Sequence, residues 1–569
     1  MNDRCKGHCD GKARRFMLVV SIAVTTLLWN APATASKTVS PDGWTVVQPS
    51  ADTRIVYVSN SGGSDSNSGL SEESPVKTIA RGISLVRPGM PDWMLLKRGD
   101  TWTNENLGYW NRQGGRSDDE PMLISYYGDP NSPRPLLRTG GESGAKVDGV
   151  NSPGSPDHRR VDYLAIIGLH LWADTYDGTA TDSWGIRPAG IRWMAGSNSI
   201  LIEDCLIEGY GTNITIEQGY GISINDVVVR RNVLVDAFAV SAEAIDARAQ
   251  GLYTSGVNGL TIEQNVFDRN GYKDGLPNAE PTIYSHNMYL QYGNWNVVVR
   301  GNISARASSH GLQARPGGIV EGNLFVNDSI AFFMADGDGD GSDNLAADNV
   351  VLHGSRKALR PDGWPRGWGI DMQNHTGSQC LRNLIAHGTD CVEALTGLSG
   401  VYTENNVVYQ WGTESDPGPF FDPNRTIETY DAKIGGAGSL ESFLSQARLQ
   451  SRYNWRTEYT AGKAIPYFQA GFGINDADSD GVADSVDNCP AVYNPSQADS
   501  DGDGIGNVCD SDCPNLDGVD PVGGIDFAIF ADDWRQTGPG KPGDLTGNGI
   551  VDINDLKTFS MYWLSDCYE

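Results

Sequence analysis

Positive charge is scarce in this sequence. Against 72 Asp and Glu stand only 43 Lys and Arg, a net charge of −29 over 569 residues. Nucleic-acid binding rests on Lys and Arg set against phosphates, so this balance argues against it. Long apolar runs are missing too. After residue 35 no segment approaches the roughly 20 apolar residues of a membrane-crossing helix. Gly-x-Ser-x-Gly, His-Glu-x-x-His and the phosphate-cradling P-loop are absent, so those three catalytic signatures do not apply. What the chain does have is glycine, 69 residues, and proline, 28, which favour turns over long helices. At 39% hydrophobic residues it can still build a sizeable core. Its length allows several ordinary domains, or one long repeat domain with appendages.

The N-terminus reads as a targeting segment. Lys12, Arg14 and Arg15 precede an apolar run over residues 16–29, and Ala33-Thr34-Ala35 follows. Positive end, short apolar stretch and small-residue cleavage site make a secretory signal peptide. The run is short for a membrane anchor, the rival reading. Residues 1–35 are therefore expected to be removed, with 36–50 a linker. Cys5 and Cys9 leave with them, and export permits disulfides among the rest. Cys380 and Cys391, eleven apart, are a candidate pair. Cys513 and Cys567 each follow Ser-Asp and bracket the last unit, as a clasp would. Cys205, in the run Asp204-Cys205-Leu206-Ile207, reads as a buried, inert thiol.

From about residue 161 to 410 one pattern recurs: a short β-branched run, a polar residue, Asn, and a second apolar run. Val227-Val228-Val229-Arg230-Arg231-Asn232-Val233-Leu234 and Leu260-Thr261-Ile262-Glu263-Gln264-Asn265-Val266-Phe267 are examples. Asn302, Asn323, Asn349, Asn383 and Asn406 continue the series at spacings of 21 to 37 residues. Repeats of this size, each with strands and a fixed turn residue, define a solenoid. Asn is expected to take the left-handed conformation at a tight corner, and stacked corners let its side chain bond the next coil. Irregular spacing suits a parallel β-helix, whose loops vary while its strands stay in register, and not a propeller.

The entry segment, Tyr57-Val58-Ser59-Asn60-Ser61-Gly62-Gly63-Ser64-Asp65-Ser66-Asn67-Ser68-Gly69 and then Pro75-Val76-Lys77-Thr78-Ile79, resembles the opening of secreted right-handed parallel β-helix proteins of the pectate-lyase-like superfamily. That resemblance covers about residues 51–475. It implies an all-β right-handed solenoid, with a helix at 78–86 capping the first end. Helical material at 439–450 and 467–473 is expected over the other end, because an open solenoid exposes core and unpaired strands.

One set of segments reads as successive rungs of one sheet: residues 242–248, 286–291, 310–315, 331–336 and 369–375. Strand alternation points Met288, Leu290, Leu312, Ala314, Ile370 and Met372 inward. The outward set is Asp246, Arg248, Asn287, Tyr289, Gln291, Gln313, Arg315, Asp371 and Gln373, a polar strip able to follow several sugars. Trp184, Trp364 and Trp368 fall in long inserted loops and are candidates for stacking on sugar rings. The plainer alternative is a solvated face with tryptophans in the core. His286 and His310 share parity with the core, so a structural pair competes with a catalytic one.

Two chemistries fit the strip. In β-elimination on a uronate, a base removes the proton α to a carboxylate while a cation stabilises the charge. Arg315, Arg248, Tyr289, His286 and His310 can supply base, acid and neutraliser. The superfamily resemblance implies Arg or Lys as base and Ca²⁺ on the carboxylate, for which Asp336-Gly337-Asp338-Gly339-Asp340 is a partial loop. Glycoside hydrolysis instead needs two carboxylates about 5–9 Å apart, and Asp336 with Asp371 on consecutive rungs is the candidate pair. The resemblance tilts the choice to a lyase acting on a uronic-acid polysaccharide; a non-catalytic β-helix that binds glycan or another surface, and a structural envelope protein, are the remaining alternatives.

Residues 476–569 hold 20 Asp and Glu against 3 Lys and Arg, over half the net charge. Asp476, Asp478, Asp480, Val482 (by its carbonyl), Asp484 and Asp487 follow the ligand schedule of an EF-hand-type calcium loop. It recurs with Asp499, Asp501, Asp503, Ile505 (carbonyl), Asn507 and Asp510. Asp487-Asn488-Cys489-Pro490 through Cys509-Asp510 resembles the thrombospondin type 3 repeat over 476–512. That likeness implies calcium-dependent folding and a Cys489–Cys509 bridge. Residues 513–569 contain a duplication at a 29-residue shift, Asp526 to Trp534 against Asp555 to Trp563. Asp544, Thr546, Asn548, Ile550 (carbonyl), Asp552 and Asp555 form a calcium loop followed by a helix. This unit resembles a type I dockerin-like domain, which implies a cohesin-type or surface partner. In its first copy Val519 and Gly523 replace ligands, so one site is expected and the other is in doubt. About three Ca²⁺ ions are thus expected in the tail.

Overall fold

The computed structural model describes residues 36–569 apart from 112, 150–158, 220, 336–343, 374–376 and a set of tail positions. Those are 479–481, 483, 485, 493, 495–496, 498–503, 507–508, 510–515, 517–520, 538–540, 544, 546–548, 562 and 565–569. Among the described residues, no helix is long and apolar enough to cross a membrane.

Short strands wind through three long sheets of 12, 11 and 10 strands. All pairing inside them is parallel, each strand bonding to its counterpart one coil earlier and one later. This is a parallel β-helix. The β-branched runs face inward in register: Val227, Leu260 and Val297 align across three coils of the first sheet and are buried. Polar residues occupy the outward strand faces and the corners, and the asparagines sit at the corners.

The asparagine stack is continuous. Asn232, Asn265, Asn302, Asn323, Asn349 and Asn383 each donate Nδ2 to the Oδ1 of the next, ending on Asn406, at 2.8–3.0 Å. Each Oδ1 also accepts the backbone N–H of the Asn before it. Buried amides are tolerated because every coil satisfies its neighbour. The left-handed residue is the one before each Asn: Arg231, Gln264, Asp348, Arg382 and Asn405 have φ of 52–56°. The Asn itself is the bonding residue, which corrects the expectation that it takes the strained turn. Cys205 occupies the matching position one coil earlier, its N–H donating to Asn232 Oδ1. Burial pushes its thiol up to about 12, as an inert cysteine requires.

Helix α1 (Ile79–Leu85) forms where the sequence placed it. Thr78 caps it by accepting from Arg81 N, and Gly82 lets it sit against Val58 and Met94, where a Cβ would lie 2.7 Å from Val58. Three expectations fail. Residues 36–50 are no linker: Ser36–Val39 and Thr45–Gln48 form an antiparallel hairpin on the outside of the solenoid. There Arg231 lies 4.4 Å from the Trp44 ring and 4.7 Å from the Trp455 ring, which meet each other edge to face. Second, helices α2 (Ile427–Lys433), α3 (Leu440–Ala447) and α4 (Ala461–Gly471) do not cover the far end. They lie on the outer face of the 11-stranded sheet, because that face carries a second apolar layer, including Val233, Ile303, Leu324 and Val350, that water would otherwise meet. Arg448 ties this cover to Asp236 and Asp268. The last coil instead buries Trp411 against Gly354 and Gly388. Third, Cys380 and Cys391 are free and buried, on different walls of the coil. Cys380 Sγ takes a bond from Asn383, while Cys391 packs near Gly354.

In the tail the Cys489–Cys509 disulfide forms. Cys513 and Cys567 lie outside the described residues. The duplication is visible in the fold. α5 (Gly524–Asp533) and α6 (Ile553–Met561) bury Phe530 and Phe559, 29 apart, with ring centroids 5.2 Å apart. Arg535 N donates to Val551 O and Leu564 N to Val522 O, both at 2.9 Å, so the two copies exchange the same bond.

Candidate functional site

A groove of about 820 Å³ runs along the outward face of the 10-stranded sheet. Its floor is built from strands Gln250–Ser255, His286–Leu290, His310–Ala314, Ile330–Met334 and Trp368–Met372. Strand pairing sets one row of side chains across it: Thr215, Tyr253, Tyr289, Gln313, Phe333 and Asp371. Of the expected residues, Arg248, His286, Tyr289, Gln291, His310, Gln313, Arg315, Asp371 and Gln373 line the groove. Met288, Leu290, Leu312, Ala314, Ile370 and Met372 are buried as expected.

Two outward assignments are corrected. Asp246 lies on a short 3-10 turn, Ala244–Asp246, because the rung in that coil is Gln250–Ser255 and not 242–248. Asn287 is fully buried and points inward. Its Nδ2 donates to Ser304 Oγ and Ala305 O, and its Oδ1 accepts from Asn270. Asn287 and Met288 both face the core, so alternation breaks there and His286 turns outward with Tyr289. The same happens at Gly311 and Leu312, both buried, with His310 outward. A Cβ on Gly311 would lie 2.5 Å from Asp328 Oδ2, which is why that position carries none. The histidines therefore belong to the groove and not to the core. Trp368 is on a floor strand and not in a loop. Trp364, 71% exposed, ends a small hairpin (Ala358–Leu359 with Trp364–Pro365). Trp184 packs near Tyr109, with Lys146 over both rings. Asp336 lies outside the described residues.

The imidazoles touch, their ring centroids 4.9 Å and their Nδ1 atoms 3.3 Å apart. His310 N–H reaches His286 Nδ1 at 3.4 Å, which makes that Nδ1 an acceptor. His310 Nδ1 also lies 3.0 Å from Ser309 Oγ. In the tautomer that carries its proton on Nδ1, His310 presents Nε2 as a lone pair. Both rings stay neutral. Burial, then the neighbouring His310 and Arg315, hold His286 well below the usual range. Burial, then Arg315 and Arg366, push His310 down to about 3. Arg315 stands over Tyr289 at 5.5 Å and Tyr292 at 5.3 Å, its buried Nε making no hydrogen bond among the described residues. Asp371 is raised, by burial first and by Glu393. It lies three rungs from Tyr289, about 14 Å at ~4.8 Å per rung.

Reading the strip along single strands missed Arg192, Gln250, Tyr253, Tyr284 and Arg366, all of which line the groove, while Trp368, expected to stack on sugar rings, lines it too. Gln250 orients the centre, accepting His286 N at 2.8 Å and donating to Tyr284 O. Its alignment with His286 follows from strand register. No local motif marks it.

Fold and site together define a parallel β-helix protein with an arginine- and histidine-bearing groove on one sheet. No protein-family model matches the chain. A curated relative, lacto-N-biosidase of Bifidobacterium longum subsp. longum, is 26% identical over 187 residues, 30% of this chain. The match spans 11% of that relative's length. Among solved structures, one described as a glycoside hydrolase superposes with a TM-score of 0.41 at 10% identity, over 63% of this chain and 97% of that one. XylC with xylose gives 0.37 at 13% identity, over 71% and 81%. Pectate lyase Pel9A gives 0.27 at 13%, over 66% and 84%.

Proposed function

We propose that this chain is an exported polysaccharide-degrading enzyme that cleaves a uronic-acid-containing polymer by β-elimination. The observation that carries the reading is a neutral imidazole pair held beside Arg315 in an open groove. A substrate carboxylate set against Arg315 becomes a better electron sink, which acidifies its α C–H. His310 Nε2 takes that proton. The electron pair forms the ring double bond while the bond to the leaving glycosidic oxygen breaks, and Tyr289 O–H protonates that oxygen. The arginines that depress His310 are the charges the substrate neutralises, so binding raises the basicity of the base. His286 and Gln250 are positioning residues. Among the described groove residues, the carboxylates Glu217 and Asp371 are five rungs apart, about 24 Å, too far for paired-carboxylate hydrolysis at about 5–9.5 Å.

The test is incubation with a panel of polyuronates, reading ultraviolet absorbance of the unsaturated product beside a reducing-sugar assay. Both signals are expected. Arg315→Ala should lower kcat/KM by about 10²–10³-fold, the scale of losing one charge-stabilising group. Sugar release without unsaturated product would overturn elimination. It would favour a hydrolase with Asp371, whose raised pKa suits a general acid, and mutation of Asp371 would then abolish activity.

The tail is proposed as a calcium-binding spacer (476–512) and a docking unit (513–569) for a cohesin-type or surface partner. Asp476, Asp487 and Asp555 are nearly or fully buried carboxylates, and buried carboxylates call for a compensating cation. An all-oxygen donor set suits Ca²⁺. Asp478, Val482, Asp484, Ile505, Ile550 and Asp552 are the other described members. Asp480, Asp499, Asp501, Asp503, Asn507, Asp510, Asp544, Thr546 and Asn548 lie outside the described residues, as do Asp338 and Asp340 of the solenoid loop.

A further inference from the structure

Where the strands of the 10-stranded sheet turn into the 12-stranded one, a second groove of about 820 Å³ opens. The chain passes directly between the two grooves: Gln291 and Arg315 line the first, Gly293 and Pro316 the second. Their linings differ in kind. The first holds Arg192, Arg248, Arg315 and Arg366. Among the described residues, the second is lined by no Asp, Glu, Lys, Arg or His. It is lined instead by the amides of Gln218, Asn225, Asn258 and Asn296, with the Trp295 indole beside them.

These amides are oriented. Asn225 Nδ2 donates to Asn198 Oδ1 at 2.9 Å, and Asn296 Nδ2 donates to Asn258 Oδ1 at 2.8 Å. A primary amide has two N–H donors and two carbonyl lone pairs. One such bond therefore fixes the group and leaves capacity for a ligand. Trp295 stands in register with Asn258 and is 40% exposed. Its half-exposed indole presents an apolar face beside these fixed amides. Gly256 and Gly293, both at positive φ (73° and 79°), turn the chain there without side chains and keep the groove open.

We propose that this corner groove binds an uncharged pyranose oligosaccharide. Paired amide donors and acceptors suit vicinal hydroxyls, and the indole face suits the C–H face of a sugar ring. The absence of charge in the lining rejects a uronate, which would lose hydration without a counter-charge. Because the two grooves adjoin around one corner, a polymer with an acidic backbone and neutral branches could engage both. Neutral-sugar binding requires no turnover, so it succeeds or fails independently of the elimination reaction.

The experiment is isothermal titration of the full chain with cellotetraose, xylotetraose, mannotetraose and galactotetraose, each separately, into the wild type and Trp295→Ala, Asn258→Ala and Arg315→Ala. At least one tetrasaccharide is expected to bind. Trp295→Ala should weaken it about tenfold or more and Asn258→Ala severalfold, with Arg315→Ala unchanged. Trp295 and Asn258 are surface residues, and circular dichroism checks that both variants are folded; if one is not, the other carries the test. The proposal is overturned if none of the four binds at millimolar concentration, if binding is undiminished by loss of Trp295 or Asn258 from folded protein, or if Arg315→Ala abolishes it, which would place the sugar in the histidine groove.

Discussion

His310 loses its proton affinity to burial and to two neighbouring arginines, and this has two measurable consequences. An ordinary histidine base is protonated as pH falls through about 6.5. With His310 down to about 3, the proposed elimination should show no acid limb near 6.5. A pH–rate profile of kcat/KM checks this. The second consequence is in stability. The unfolded chain binds a proton near 6.5, and the folded chain refuses it until about 3. Between those values the unfolded state holds more protons, so stability is fully present above about 6.5 and lost as pH falls. The slope is about 1.4 kcal/mol per pH unit for each such imidazole. Urea unfolding across that window should show this slope, and His310→Gln should flatten it.

At the scale of elements, the asparagine stack and the outer helices do different work. The stack closes the corner of each coil with bonds that no other group there supplies. Asn302→Ala removes the acceptor of both Asn265 N and Asn265 Nδ2 and a donor to Asn323. Each buried group left unsatisfied costs about 1–3 kcal/mol, so a loss of about 2–5 kcal/mol is expected. Asn406→Ala, at the end of the stack and only partly buried, should cost less; chemical denaturation of both variants measures the difference. Both the solenoid and this stack were legible in the sequence because the repeat unit is local: Asn recurs at the same point of every coil. The helical cover was misplaced because helix propensity says nothing about which surface a helix meets. That surface is the outer apolar layer formed by Val233, Ile303 and Leu324, whose outward direction shows only once the three sheets are wound.

At the scale of the whole molecule, the acidic excess divides between two kinds of structure. The solenoid ties many carboxylates to arginines, as Arg306 and Arg448 hold Asp268. The tail has few cations and a small core around Val522, Phe530, Val551 and Phe559. Chelation with EGTA should therefore unfold the tail and leave the β-helix folded, read as an early melting step that appears beside an unchanged main transition. A tail whose melting ignores calcium would overturn the calcium proposal.

The sequence by itself determined the solenoid, its asparagine corners, the duplication in the last unit, and four of the five rungs read for the groove sheet, all of which rest on short-range periodicity or fixed spacing. The Cys489–Cys509 bridge followed from the resemblance to a thrombospondin type 3 repeat. Only the tertiary structure decided which way His286, Asn287 and His310 point. Alternation is a rule for a regular strand, and Asn287 breaks it by bonding Ser304 and Ala305 across the corner. It also decided that Arg366, Gln250 and Tyr253 stand beside residues far from them in the chain, since neighbours across a solenoid are set by register between coils whose loops vary in length. The corner groove has the same origin: Gln218, Asn258 and Trp295 carry no motif, and winding alone brings them to one surface.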